Sequence, residues 1–349
     1  MQQFPLSSDL TDHVFGVTPP DPAWRYTLPG PAYARTMLDA VVVGAGMAGL
    51  TAARTLHEAG MTVVVVELSD TVGGRLATHV AGEGRGDTGA QFFTTRSAEM
   101  RSAVATWSAG GAVEEWCRGF GTADGHPRFT GTGGMATLGA FLARGLDMRL
   151  GVPVQRIGAA GVCWRVGSLE TRSVIVTVPG TAGLGMVDPQ TPLDPDALAA
   201  VGTLAFHPTL ALLVATRQRA SVPEPGGVQL DDDPTWSFVA DNQRKGVSAT
   251  PVVTLHARHD VSAQRFDEAD DLLVPSLLDA AAPWIGTGPV EEVRLVRWAS
   301  AAPRSTLPQR CLVLARLPGP LVFAGDAYGG PKVEGAYLSG VAAATAVMS

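Results

Sequence analysis

The sequence predicts an α/β fold in which a parallel-sheet unit is accompanied by a second unit built on a mixed or antiparallel sheet. Three observations predict it. A buried strand, a glycine turn and an amphipathic helix follow one another from Ala40 to Glu58. A second apolar strand from Leu321 runs into another glycine-rich turn and a helix of small residues. Between them lie strand-like stretches such as Leu210 to Ala215 and Val252 to His256, read as an antiparallel sheet.

Ala40-Val41-Val42-Val43 is short, β-branched and apolar on both faces, the pattern of a strand buried inside a parallel sheet. Met47 to Glu58 carries Leu50, Ala53 and Leu56 at helical spacing, with Gly60 as the stop. Gly44, Gly46 and Gly49 stand between strand and helix. The first allows a tight turn, the second lets backbone approach a pyrophosphate, and the third lets the helix pack on the strand. The first helical turn, Met47 and Ala48 included, offers free N–H groups and a partial positive charge. Val63 to Val66 is the next strand, and Glu67 ends it 23 positions after Gly44. There an acidic side chain accepts hydrogen bonds from an adenosine ribose and repels a 2′-phosphate. A purely structural glycine turn with an incidental glutamate is the blander reading. The coincidence of both features around a strand–turn–helix unit decides for a Rossmann domain with a bound dinucleotide.

Gly73-Gly74-Arg75-Leu76 follows in a loop, where two glycines allow close approach and Arg75 can neutralise phosphate charge. Near the C-terminus, Leu321-Val322-Phe323-Ala324 leads into Gly325-Asp326-Ala327-Tyr328-Gly329-Gly330-Pro331, then Val333-Glu334-Gly335 and a helix from about Gly335 to Met348. An acidic residue followed by GG-R resembles the FAD signature of glutathione-reductase-type flavoproteins, and especially of the flavin amine oxidase superfamily. The C-terminal run resembles that superfamily's second FAD motif. The resemblance implies that Asp326 binds the ribityl or pyrophosphate part of FAD. It also implies that the last helix points its positive end at the pyrimidine edge of the flavin. The cofactor set it implies is Gly44, Gly46, Met47, Ala48, Gly49, Glu67, Gly74, Arg75, Gln91, Val154, Gly325, Asp326, Val333 and Glu334. The domains it implies are 38–98, 133–183 and 304–349 for FAD, with 99–132 and 184–303 for substrate.

Gly86-Asp87-Thr88-Gly89-Ala90-Gln91-Phe92-Phe93-Thr94 is similar to a segment of renalase-like members. So are Gly133-Gly134-Met135 before a helix Ala136 to Arg144, Leu150 to Val154, Val174 to Pro179, Trp236 to Asn242, and Arg297-Trp298. Gly131-Thr132-Gly133-Gly134 departs from the "G-x-P-G-M" of that branch, and Ala299 to Ser305 lacks its aromatic residue; both bear on the substrate. The resemblance implies an oxidase that takes hydride at flavin N5 from 2- or 6-dihydro isomers of NAD(P). Dioxygen then accepts the electrons, giving NAD(P)⁺ and hydrogen peroxide. The alternatives are an amine oxidase or specialised-metabolite tailoring enzyme on the same scaffold, and a flavin-binding protein without turnover.

Gln91, Trp298 and Tyr328 are the candidate catalytic residues, with Phe92, Phe93, Trp236 and Asn242 as further cavity walls. Gln91 stands out because a polar side chain in an otherwise apolar, strand-like stretch needs a partner. His207 reads as structural. Of 26 basic residues only Lys245 and Lys332 are lysines. Many amine oxidases use a lysine to hold a water against flavin N5. Lys332 falls in the C-terminal loop and Lys245 in an expected hairpin turn, so neither suits that task, which favours the renalase-like reading.

At 349 residues the chain is long enough for two domains. A net charge of −7, without a basic run, speaks against nucleic acid as a partner. No apolar run reaches the ~18 residues of a membrane span; the partner expected is a small-molecule substrate, and scattered, unpaired cysteines suit a cytoplasmic location. Cys117, Cys163 and Cys311 show no paired spacing and none lies in the C-terminal motif, so FAD is expected to be non-covalent. Asp231-Asp232-Asp233 reads as a solvated turn, and no metal site is expected. Residues 1–36, rich in turn-forming proline, read as a flexible or surface-draped extension, with Met37 as an alternative start.

Overall fold

The computed structural model describes residues 37–121 and 125–349; the extension expected over residues 1–36 lies outside the described residues. The chain opens with β1 (Leu38–Val43), α1 (Met47–Glu58) and β2 (Val63–Val66), then a short 3-10 turn over Gly74–Leu76. The hairpin β3 (Thr78–Ala81) and β4 (Gly84–Asp87) precedes α2 (Ala98–Ala109). A second hairpin, β5 (Val113–Cys117) and β6 (Arg128–Gly131), leads to α3 (Ala136–Ala143) and β7 (Asp147–Arg149). Next come β8 (Ile157–Ala160), β9 (Cys163–Val166), β10 (Leu169–Val176), α4 (Gly180–Leu184) and α5 (Pro195–Gly202). Then follow β11 (Phe206–Thr216), β12 (Gly227–Gln229), β13 (Trp236–Asp241), β14 (Val252–Ala257), α6 (His259–Arg265) and α7 (Asp270–Ile285). The chain closes with β15 (Val290–Pro303), β16 (Leu312–Ala315), β17 (Leu321–Phe323) and α8 (Lys332–Met348).

The first sheet runs β16-β17-β10-β1-β2-β7, with the β8–β9 hairpin joined to β10. β1 lies between β10 and β2, parallel to both. Its alternating side chains divide between two cores. Ala40 and Val42 pack with α1, α2, α3 and α8, whereas Val41 and Val43 pack with Ile157, Trp164, Val201 and Phe323 on the other face. Two buried faces explain the unbroken valine runs, each such side chain contributing about 1.5–3 kcal/mol. Segments 99–113 and 187–204, which the sequence reading gives to the substrate domain, contribute Met100, Val104, Val187 and Val201 to these cores. α8 begins at Lys332, three residues before the expected Gly335, and its small residues bring it close to α1: a Cβ on Gly340 would collide with the Ala48 carbonyl.

The second sheet is antiparallel, in the order β12-β13-β14-β11-β15. Leu210, Leu212 and Val214 of β11 face α7 through Leu273, Val274 and Leu277. Leu213 and Ala215, on the opposite face, pack against Ala81 of the β3–β4 hairpin. That hairpin therefore joins the two sheets. Among the described residues no helix is long and apolar enough to cross a membrane.

Candidate active site

The glycine turn between β1 and α1 is shaped for a ligand. Gly44 has φ +104°, and a Cβ there would lie 2.5 Å from the Thr177 hydroxyl. Gly46, the N-cap of α1, has ordinary φ and open space where a Cβ would stand, with nothing within 4 Å. No side chain caps α1, so the first-turn amides at Met47, Ala48 and Gly49 face that space without an intrahelical partner. The Glu67 carboxylate accepts from the Ala45 amide at 2.6 Å and the Ser69 amide at 2.9 Å, which sets it beside the turn. The segment after β7 lies alongside: Val152 donates its amide to the Glu67 carbonyl at 2.9 Å, and Val154 packs at the edge of the core. Leu68, Leu150 and Val152, on the two segments that meet at Glu67, are exposed apolar side chains. Such a surface suits the face of a purine base.

Arg75 and Asp326, 251 positions apart, form a two-pronged ion pair at 2.7 and 2.8 Å. Arg75 also donates to the Ala301 carbonyl of β15 at 3.0 Å, so it ties the parallel sheet's loop to the antiparallel sheet. Its remaining N–H donors stay available to a phosphate. Gly325 has φ +150°, a conformation for glycine. Two further expected ligands, Glu334 and Val333, use their side chains within the fold. The Glu334 carboxylate accepts from the amides of Arg96 and Ser97 at 2.9 and 2.7 Å, capping the junction of α2 with α8. The Val333 side chain is buried in the core, so only its backbone can serve a ligand.

Where the hairpin meets the antiparallel sheet, a seam of buried polar groups forms around the loop Asp87–Gln91. Asp87 is fully buried. One oxygen accepts from the Thr78 hydroxyl at 2.6 Å and the Met135 amide at 2.8 Å; the other holds the Lys245 ammonium at 2.7 Å. Lys245 sits in the turn between β13 and β14, as expected, yet its side chain is wholly buried and lies 5.1 Å from the Trp116 ring centre. Burial pushes the Lys245 ammonium down from its ordinary value, against the opposing pull of Asp87. Asn242 donates to Thr254 at 2.9 Å and accepts from the Asp87 amide at 3.2 Å.

Gln91 lies in a loop, not in a strand, and its side chain is used internally. Its amide group donates to the Asp87 carbonyl at 2.5 Å and the Gly89 carbonyl at 3.3 Å, while its oxygen accepts from Lys245 at 3.4 Å. The Thr88 carbonyl receives the Trp298 indole N–H and His256 Nε2, both at 2.9 Å. Because a carbonyl only accepts, Nε2 of His256 carries the proton. Gln91 and Trp298 thus bond to successive carbonyls of one loop, and Lys245, Asp87 and His256 join them. Sequence reasoning sets Lys245 aside as a turn residue, a dismissal that its burial in the seam removes, and does not single out Asp87 or His256; the need of Gln91 for a partner is the signal pointing to them.

Other expected residues lie elsewhere. Tyr328 is buried in the core beneath β10 and β17, its hydroxyl without a partner among the described residues and pushed upward in pKa by burial. Trp236 is a core residue, donating its indole N–H to the Ala280 carbonyl of α7 at 3.0 Å. Phe93 stacks with Phe129 in the core, whereas Phe92 forms a partly exposed aromatic group with Trp116, Phe120 and Phe238. His207 stacks on His259 at 4.6 Å, outside this network.

Desolvation pushes the His256 pKa down to about 4 from 6.5. The folded state therefore resists protonation that the unfolded chain accepts. Stability from this residue is complete above pH 6.5 and is lost as the pH falls towards 4, by about 3 kcal/mol in all. Urea unfolding at about pH 7 and about pH 5 is expected to show about 2 kcal/mol of this loss, and His256→Gln is expected to remove most of it.

A dinucleotide fits this framework, since the uncapped α1 terminus and the open side of Gly46 offer amides and room to an anionic ligand. A family model of NAD(P)-binding Rossmann-like domains matches residues 42–107, and a model of flavin-containing amine oxidoreductases matches residues 107–348. Putrescine oxidase of Kocuria rosea is 46% identical over 66 residues, which is 19% of this chain and 14% of that protein. The chain's matches span about 8–14% of the length of such curated relatives. A solved putrescine oxidase bound to putrescine superposes with a TM-score of 0.63 at 15% identity, over 89% of this chain and 99% of that one. A putative protoporphyrinogen oxidase from Exiguobacterium sp. 255-15 gives 0.68 at 13% identity, over 88% and 98%. At these identities the likeness is one of fold.

Proposed function

The chain belongs to the family of flavin-containing amine oxidoreductases, with FAD as cofactor, and from that premise we propose a non-covalent FAD oxidase of renalase type. Its substrates in this reading are 2- or 6-dihydro isomers of NAD(P), bound by the antiparallel-sheet unit against a glutathione-reductase-type cofactor domain. One observation carries the reading: the ionisable groups of the seam are spent on one another. Asp87 is neutralised by Lys245, and His256 is neutral at neutral pH with its N–H held by Thr88. The seam therefore leaves no free carboxylate to hold a protonated amine and no base to deprotonate one. A dihydronicotinamide isomer needs neither, because it already carries the hydride and regains aromaticity on losing it.

In this proposal the α1 amides and Gly46 would hold the pyrophosphate, Glu67 the adenosine ribose, and Asp326 with Arg75 the ribityl end. FAD, when bound, supplies the two-electron acceptor, whose electrons pass with two protons to dioxygen as hydrogen peroxide. Trp298 and His256, pinned on one carbonyl, keep the seam's wall fixed.

Amine oxidation is the second reading, favoured by the family match and by the putrescine oxidase resemblance. Aerobic turnover separates the two. Borohydride-generated dihydronicotinamide isomers are expected to give NAD(P)⁺ and peroxide in equal amounts, while putrescine, cyclohexylamine and benzylamine give none. Peroxide from amines alone would replace the first reading by the second. A yellow protein giving peroxide with neither would leave a flavin-binding protein without turnover.

A further inference from the structure

We infer that Lys245 is a positioning residue, one that sets the antiparallel sheet against the cofactor-binding half by locking the loop Asp87–Gln91. The inference rests on reading the seam as the active site. Its geometry is a chain of contacts. Lys245 reaches from the β13–β14 turn to Asp87 at 2.7 Å and to the Gln91 oxygen at 3.4 Å. Held there, Gln91 aims its amide at two carbonyls of its own loop, those of Asp87 and Gly89. Between these lies Thr88, whose carbonyl anchors Trp298 of β15 and His256 of β14. Gly89 and Ala90 then rest on the backbone of Arg75: Ala90 donates its amide to the Arg75 carbonyl at 2.8 Å, and a Cβ on Gly89 would collide with that same oxygen. Arg75 carries the ion pair with Asp326. A shift of this one loop therefore changes the spacing between the Trp298–His256 wall and the Arg75–Asp326 edge.

Charge neutralisation alone does not explain the lysine. A buried ion pair is commonly replaceable by apolar or neutral groups with little loss of stability. What a neutral replacement lacks is the donor to Gln91. Removing both charges while leaving that oxygen unpartnered therefore separates positioning from a structural role.

The test uses the holoprotein with Asp87→Asn/Lys245→Met. The introduced asparagine keeps an acceptor oxygen for Thr78 and Met135. The expected result is wild-type FAD content with an altered visible circular dichroism of the bound flavin, read without any substrate. Flavin reduction by the best donor for the wild type is expected to slow about 10- to 100-fold, the scale of a small misplacement at a reacting centre. Reduction by dithionite, which needs no substrate site, stays unchanged. Gln91→Met, which leaves the ion pair intact, is expected to show the same changes and covers the case in which the double variant fails to fold. Wild-type dichroism and wild-type reduction rates in the folded variants would overturn the inference. Failure of the wild type to be reduced by any donor would count against the seam as an active site, and the dichroism would still decide the role of Lys245.

Discussion

Gly46→Val is expected to give a folded, colourless protein. Gly46 has φ −78° and an extended ψ, and a Cβ there meets nothing within 4 Å, so valine fits the chain without strain. The added methyl groups instead fill the space in front of the uncapped α1 amides. Two or more charge-assisted hydrogen bonds to the pyrophosphate are lost, each worth about 1.5–3 kcal/mol, which weakens FAD binding about a hundredfold or more. Gly44→Val removes FAD by another route. Its φ of +104° and the 2.5 Å approach to Thr177 place the damage in the fold itself. The ratio of flavin-band to protein absorbance, read with the melting temperature of the apoprotein, distinguishes them. A Gly46→Val protein that purifies fully yellow would contradict the placement of the phosphates.

Lys245→Met is expected to be the most destabilising single change in the seam. It leaves the Asp87 carboxylate at 0% exposure with two hydrogen bonds and no cation. Breaking a buried pair from one side costs about 3–5 kcal/mol. Asp87→Asn in the same background is expected to restore most of that loss, because the uncompensated charge is then gone. Urea denaturation of both variants reads the difference, and two additive losses would mean that the pair is not coupled.

The residues that sequence alone places well are those governed by local rules. β1, α1 and β2 follow from a β-branched run, three glycines at fixed spacing and a helical stripe, and their observed bounds agree with the expected ones to within two residues. α8 starts three residues earlier than expected, at Lys332, and Gly335 lies inside it, a glycine so that the helix can pass the Gly330 carbonyl. Trp236 belongs to the core and not to a cavity wall, because alternation along β13 does not say which face meets α7. The pairing of Arg75 with Asp326 joins residues 251 positions apart, and nothing local announces it. Lys245 illustrates the same limit. Its turn is legible, but a lysine in a turn reads as solvated, and only the meeting of the β3–β4 hairpin with the second sheet buries it.

The most direct test of hydride transfer to FAD from a dihydronicotinamide isomer is an anaerobic titration of the purified holoprotein, followed at the flavin's visible band. Rapid bleaching is predicted with a borohydride-generated mixture of 2-, 4- and 6-dihydro isomers, at concentrations where authentic 4-dihydro NADH leaves the flavin oxidised. A flavin that stays yellow with the mixture, yet bleaches with an amine, would contradict it.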